Sequence, residues 1–148
     1  MKLITKEWLR RARDDLDVAK EIIVREHLTN MVAFHSQQAV EKSLKAIIEE
    51  FEIGFVKIHN LERLLGMVRK QISLDVDLDI IKRLDEVYIS TRYPGDLGLL
   101  PSGKPTIQDA KELFDFADAL YRNVKELLEQ STEEGPENNK SNEGKKLK

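Results

Sequence analysis

An all-α fold, an antiparallel up-and-down bundle of four main helices plus one short helix, is what this sequence predicts. Three observations lead there. Apolar residues recur at alternating three- and four-residue spacing through most of the chain. No segment alternates polar and apolar residues for long enough to require a strand. Helices marked in this way bury one stripe each, so they must cover one another. With 148 residues, 41% of them hydrophobic and 34% charged, the chain is long enough for one domain with a core of its own.

The first helix is expected from Thr5 to about Glu26, where Leu9, Ala12, Leu16, Ala19 and Ile23 fall on one stripe and Thr5 is placed to cap the N-terminus. The second runs from about Asn30 to Phe51. Ala33, Gln37, Val40, Leu44, Ile47 and Phe51 form its stripe, Gln37 being the one polar member, and Gly54 marks the chain's exit. At ~1.5 Å per residue each of these helices spans roughly 30 Å. A short third helix starts at Asn60, its expected N-cap, and a fourth covers about Asp77 to Ile89. Thr106 and Asp109 form a variant capping box opening a fifth helix through Ala110, Phe114, Ala117, Tyr121, Val124 and Leu128. The bundle thus occupies residues 1–130. Residues 131–148 hold one apolar residue, Leu147, which cannot offset the entropy of ordering them, so a flexible charged tail is expected there.

The net charge of −3 gives no global positive field to draw in nucleic acid, although it leaves room for a local basic patch. Cysteine is absent, which removes disulfides, thiolate nucleophiles and cysteine-based zinc sites. The N-terminus lacks the apolar segment of a signal peptide, and no apolar run approaches the ~20 residues a membrane helix needs. A cytoplasmic protein with no membrane association, no cofactor and no metal is the expectation.

Chemistry concentrates in two places. On the second helix, His35, Gln38 and Lys42 follow one another at three- and four-residue spacing beside the apolar stripe, and Glu41 is placed to pair with Lys45. The same face can equally be an ordinary solvated surface. The second place is Ser90-Thr91-Arg92-Tyr93-Pro94-Gly95-Asp96, in a long connection from Ser90 to Pro105 between two helices. Arg92 offers a planar fork for phosphate or carboxylate, Tyr93 a ring and a hydroxyl, and Asp96 a group to orient Arg92. A helix-ending turn closed by an Arg92–Asp96 pair is the structural alternative. His59 precedes the third helix, where it can cover the helix end or contact an anion. Arg10, Arg11 and Arg13 are followed by Asp14, Asp15 and Asp17, so pairing within the helix accounts for them.

Three segments resemble the HEPN domains (higher eukaryotes and prokaryotes nucleotide-binding): residues 33–46, AFHSQQAVEKSLKA; His59-Asn60-Leu61; and Thr91-Arg92-Tyr93-Pro94. Their order and spacing match that family over roughly residues 5 to 130. The resemblance implies a helical bundle, a homodimer, and frequent pairing with a minimal nucleotidyltransferase as a toxin–antitoxin couple. Many relatives are ribonucleases whose signature is an arginine followed, after four to six residues, by a histidine. This sequence departs from that signature: its histidines are His27, His35 and His59, and none follows Arg92.

The reading is therefore a HEPN-like module that binds a nucleotide or another phosphate-bearing ligand through His35, Gln38, Lys42, Arg92, Tyr93 and Asp96, with His59 as a secondary candidate. It would act with a nucleotidyltransferase partner. The alternatives are a divergent metal-independent ribonuclease acting on RNA and a helical scaffold that only contacts protein. Trp8, Val18 and Ile22 on the first helix, with Phe34 and Ile48 on the second, lie outside one stripe, and a two-fold dimer would bury such an excess.

Overall fold

The structure, a computed structural model, describes residues 1–92 and 104–141, and for 89–92 and 133–141 the backbone alone. Five α-helices lie within them: α1 Leu3–Ile22, α2 Thr29–Glu50, α3 Leu61–Arg69, α4 Leu78–Arg92 and α5 Ile107–Ser141, with a single 3₁₀ turn at Glu26–Leu28 before α2. No strand occurs among the described residues. No described helix is long and apolar enough to cross a membrane.

α2 is the axis of the bundle and packs against each of the other four helices. α1 lies antiparallel to it. Thr5 meets Glu50 at one end, Asp15 meets His35 and Lys42 farther along, and Ala19 packs with Val32 toward the other. The core joins the stripes read from the sequence: Leu44 and Ile47 of α2, Leu61 and Leu64 of α3, and Ile81 and Leu84 of α4 are wholly enclosed. Each contributes about 1.5–3 kcal/mol by leaving water. Leu128 of α5 is the last buried residue among those whose exposure is described, although the helical backbone continues past residue 130 to Ser141.

The local caps form where the sequence places them. Asn60 Oδ1 accepts from the Arg63 N–H at 2.9 Å. Thr106 and Asp109 exchange hydrogen bonds, at 3.1 Å from the Thr106 N–H and 3.0 Å from the Asp109 N–H. Thr5 is a correction. α1 begins two residues earlier, and the Thr5 hydroxyl is fully buried, donating to Glu50 Oε1 at 2.9 Å. The reversal after α2 is made by Glu52, in left-handed backbone at φ 51°, and not by Gly54. A Cβ on Gly54 would come within 2.6 Å of Met67 Cε, a flexible tip able to move aside. Ser90, Thr91 and Arg92, expected in the connection, are the last turn of α4, whose described extent ends two residues before Pro94. Proline disfavours helical backbone in the residue ahead of it.

Ile48, one of the residues expected to exceed a single stripe, is wholly enclosed within this one chain, because α2 is covered on several sides. Trp8 and Ile22 are partly covered against the cores, Phe34 is half-buried with its ring edge-on to His35, and Val18 stays exposed.

Glu50 clasps the start of α1 to the end of α2. It accepts from the Lys2 N–H and the Thr5 hydroxyl, each at 2.9 Å, and its other oxygen lies 4.0 Å from the N-terminal ammonium. Burial alone pushes the carboxyl up, but those donors and the charges of the N-terminus and Lys2 outweigh it, so its pKa lies below the ordinary glutamate value. A folded-state pKa below the unfolded one contributes stability that is present above the ordinary value and is lost as pH falls through the folded one. Urea melts of the wild type and Glu50→Gln should therefore differ most near neutral pH and converge below about pH 4.5. A difference that grows on acidification contradicts the clasp.

Candidate functional site

The outer face of α1 is a ladder of ion pairs. Arg10 bonds both Glu7 and Asp14, Arg11 bonds Glu7, and Arg13 bonds Asp17. Hydrogen bonds from Arg10 first and Arg11 second hold the Glu7 carboxyl at about 2. These arginines are paired along their own helix, as the spacing predicts, and Asp14 and Asp17 belong to that ladder. Asp15 does not, which is the main correction to the reading of this segment. It follows Ala12 by three residues and precedes Leu16 by one, so the helical period turns it toward the covered side. There it is 11% exposed and faces α2.

Two residues of α2 converge on it. His35 Nδ1 lies 2.8 Å from Asp15 Oδ1, and Lys42 Nζ lies 2.5 Å from Asp15 Oδ2. Their side chains are 21% and 20% exposed, so the clasp sits at the wall of the bundle, within reach of solvent. The His35 ring meets Phe34 edge-on, with centroids 5.3 Å apart. A carboxylate is an acceptor, so it holds the proton of a neutral imidazole on Nδ1 and leaves Nε2 as the free base. His35 Nε2 has no hydrogen-bond partner among the described residues. Lys42 gives one of its three N–H donors to Asp15 and keeps the others.

A second polar system runs deeper along the same helix. Glu41 and Lys45 form the i,i+4 pair expected from the sequence, at 3.0 Å, but with side chains 5% and 4% exposed they are enclosed in the bundle and are not a solvated face. Lys45 Nζ also stands 5.3 Å from the centroid of the Trp8 ring, a cation–π contact. Gln37, fully buried, donates to Glu41 Oε1 at 3.3 Å, and Gln38 donates to Gln37 Oε1 at 2.7 Å. His59 Nδ1 lies 3.3 Å from Glu41 Oε2, and its ring stacks on Tyr88 of α4 with centroids 5.7 Å apart. His59 thus covers the approach to α3 and ties it to α2 and α4. Beside it, Asp85 of α4 accepts from the free N–H groups of Leu61 and Glu62 at the start of α3, at 2.7 and 3.3 Å. Burial is the larger influence on Asp85 and pushes its carboxyl up, those two N–H groups act against it, and the charges of Glu62 and Glu41 reinforce it.

Of the ligand-binding residues read from the sequence, His35 and Lys42 are brought together on one carboxylate, and Gln38 lies between them on the helix with its amide tied to Gln37. His59 belongs to the deeper system. Arg92 is placed by its backbone, as the last residue of α4, one turn beyond Tyr88. Tyr93 and Asp96 lie outside the described residues. Asp15 is the residue the sequence reading missed. Two open hollows, of about 590 Å³ beside residues 69–75 and about 520 Å³ between Glu26 and residues 104–108, are not lined by the clasp. No group of three or more histidine and acidic side chains is placed to hold a metal among the described residues.

The HEPN domain family model matches residues 5–127. A relative from Methanocaldococcus jannaschii, named "Putative toxin MJ1304", is 30% identical over 146 residues, covering 84% of this chain and 88% of its own length. The crystal structure of TT1696 from Thermus thermophilus superposes with a TM-score of 0.65 at 25% identity, over 82% of this chain and 96% of that one. The crystal structure of a protein described as an archaeal HEPN homologue superposes with a TM-score of 0.61 at 24% identity, over 86% of this chain and 98% of that one, a likeness of fold.

Three neighbouring acids on α1 make different contacts, and mutation separates them. Asp15→Ala leaves Lys42 and His35 without their shared acceptor and should lower stability by about 1–3 kcal/mol, whereas Asp14→Ala and Asp17→Ala, which remove exposed pairs, should stay within about 1 kcal/mol. Equal losses for all three in denaturant titrations would place Asp15 on the surface with the others.

Proposed function

The chain belongs to the HEPN family, and on that premise we propose that it is the HEPN component of a two-component, toxin–antitoxin-like system that binds a phosphate-bearing ligand, a nucleotide or RNA. The α1/α2 face carries the binding. The name of the archaeal relative supports the toxin-like part of this reading. The single observation that carries the ligand part is the clasp, in which Asp15 holds a partly exposed imidazole and a partly exposed ammonium side by side. The donors an anion meets there are the N–H groups that Lys42 keeps, on an ammonium that Asp15 holds in place, so the entropy of arranging them is met by the fold and not by binding. Arg92, at the end of α4, joins Lys42 as a cation of the reading, and Tyr93 and Asp96 follow it in sequence.

The Asp15–His35 hydrogen bond also favours a second reading, a divergent ribonuclease. A carboxylate that fixes the imidazole tautomer is the orienting half of an acid–base pair, with Nε2 left to take a proton from a ribose 2′-hydroxyl and Arg92 to hold the phosphate. The base would then come from α2 and not from a histidine after Arg92, as the family signature has it.

Melting of the protein with ATP, GTP and short RNA tests binding. Ligand at one hundred times Kd adds about 2.7 kcal/mol, and Lys42→Met should abolish the rise. No shift with any of them at saturating millimolar concentration would end the ligand reading. Labelled RNA separates the readings: cleavage lost in both His35→Ala and Arg92→Ala supports the ribonuclease, and cleavage surviving in both assigns it to a contaminant.

The assembly proposed is a homodimer that engages a nucleotidyltransferase. Val18 on α1, and Leu3, Ile4 and Phe55 where α1 begins and α2 has ended, are exposed apolar side chains of the kind such contacts cover. Light scattering of the chain alone should give a two-chain species at tens of micromolar, enlarged by a nucleotidyltransferase encoded beside it. A monomer unaffected by that partner contradicts both contacts.

A further inference from the structure

The amide chain on α2 has a direction, set at its buried end. Lys45 donates to Glu41 Oε2, and an ion-paired carboxylate has acceptors only. Gln37 can therefore meet Glu41 Oε1 only with its amide nitrogen. That leaves Gln37 with its oxygen for the next residue, and Gln38 must meet it through Nε2. The order of donors and acceptors is fixed link by link, and it emerges at the partly exposed Gln38 as a carbonyl oxygen. Gln38 Oε1 has no donor among the described residues.

This acceptor stands three residues after His35 and four before Lys42, on the same stretch of helix. An acceptor beside the Lys42 ammonium is wrong for a bare phosphate oxygen, which it repels. It is right for a ligand that brings a hydroxyl donor close to its phosphate, within about one helical turn, ~5.4 Å. A sugar hydroxyl vicinal to a phosphate ester meets that limit, whereas the amine of a nucleobase stands farther off.

We infer that Gln38, held in one orientation by the Glu41–Lys45 pair through Gln37, reads the ribose hydroxyl next to the phosphate and makes the α1/α2 site select ribose phosphates over deoxyribose phosphates. This rests on the phosphate-ligand reading. Gln38 is a specificity residue on this account, and Glu41 is a positioning residue that acts through Gln37.

Calorimetric titration of the full chain with adenosine 3′-monophosphate and with 2′-deoxyadenosine 3′-monophosphate tests it. The ribose compound should bind roughly fivefold more tightly, the scale of one neutral hydrogen bond. Gln38→Met, at a partly exposed position that tolerates it, should bring the two to parity by weakening the ribose compound alone. Glu41→Gln, whose amide can turn either face to Gln37, should also lower the preference. Equal binding of both compounds by the wild type, or a preference that survives Gln38→Met, overturns the assignment while leaving the phosphate site standing. Absence of binding by either compound, with Lys42→Met behaving identically, removes the site and this inference together.

Discussion

A helix covered on several sides by other helices cannot carry a polar residue on those sides without housing it, and α2 is such a helix. It packs against α1, α3, α4 and α5, so its covered surface is far wider than one stripe. Apart from Thr29 at its start, whose buried hydroxyl has no partner among the described residues, the buried polar residues there are satisfied one by one. Ser36 and Ser43 donate to the carbonyls of Val32 and Ala39, each at 2.7 Å, within the helix itself. Gln37, Glu41 and Lys45 satisfy one another, with Trp8 and His59 closing the two flanks. An enclosed amide or charge lacking its partner costs several kcal/mol, so these residues stand or fall as a set.

A buried ion pair is weak evidence of stabilisation. Taking two charges out of water cancels most of their attraction, and an apolar pair of the same size often serves stability as well. What Glu41 and Lys45 supply here, and two leucines would not, is polarity. A carboxylate with an ammonium on one oxygen presents acceptors in all remaining directions, and each amide beside it has its orientation decided. The same constraint acts at Asp15, where one carboxylate sets the tautomer of His35 and the direction of Lys42. Two acidic residues thus arrange the hydrogen-bonding pattern on one side of the bundle, one from α1 and one from within α2.

The five helices are legible in the sequence because a 3.6-residue period is a local signal, and so are the Asn60 cap and the Thr106–Asp109 box, whose partners lie three residues away. Thr5 was misread for the opposite reason: its hydroxyl has a partner forty-five positions along the chain, which no local rule supplies. Asp15 is instructive because Arg11 lies four residues before it, so the spacing offers an intrahelical pair. Arg11 in fact bonds Glu7. The usable signal was phase: positions 12, 16 and 19 are buried and 14 and 17 are not, which leaves 15 on the covered side. The breadth of the buried face on α2 was not legible at all, since it depends on how many helices surround it.

The same geometry explains why the clasp alone is a modest anion site and why the end of α4 matters to it. With a neutral imidazole, Asp15 and Lys42 cancel, so a phosphate finds oriented N–H groups but no net charge there. A cation from elsewhere changes that sum, and α4 ends in Arg92. That helix is not independent of α2. One turn before Arg92 it carries Tyr88, stacked on His59, whose Nδ1 lies on Glu41, the carboxylate that also orients the amide chain ending at Gln38. A residue that fixes the acceptor on one side and helps seat α4 on the other couples the two parts of the proposed site through contacts of 2.7 to 3.3 Å and one ring stack. On this account the polar residues of α2 form one arrangement, whose deep end holds the helices and whose shallow end meets the ligand.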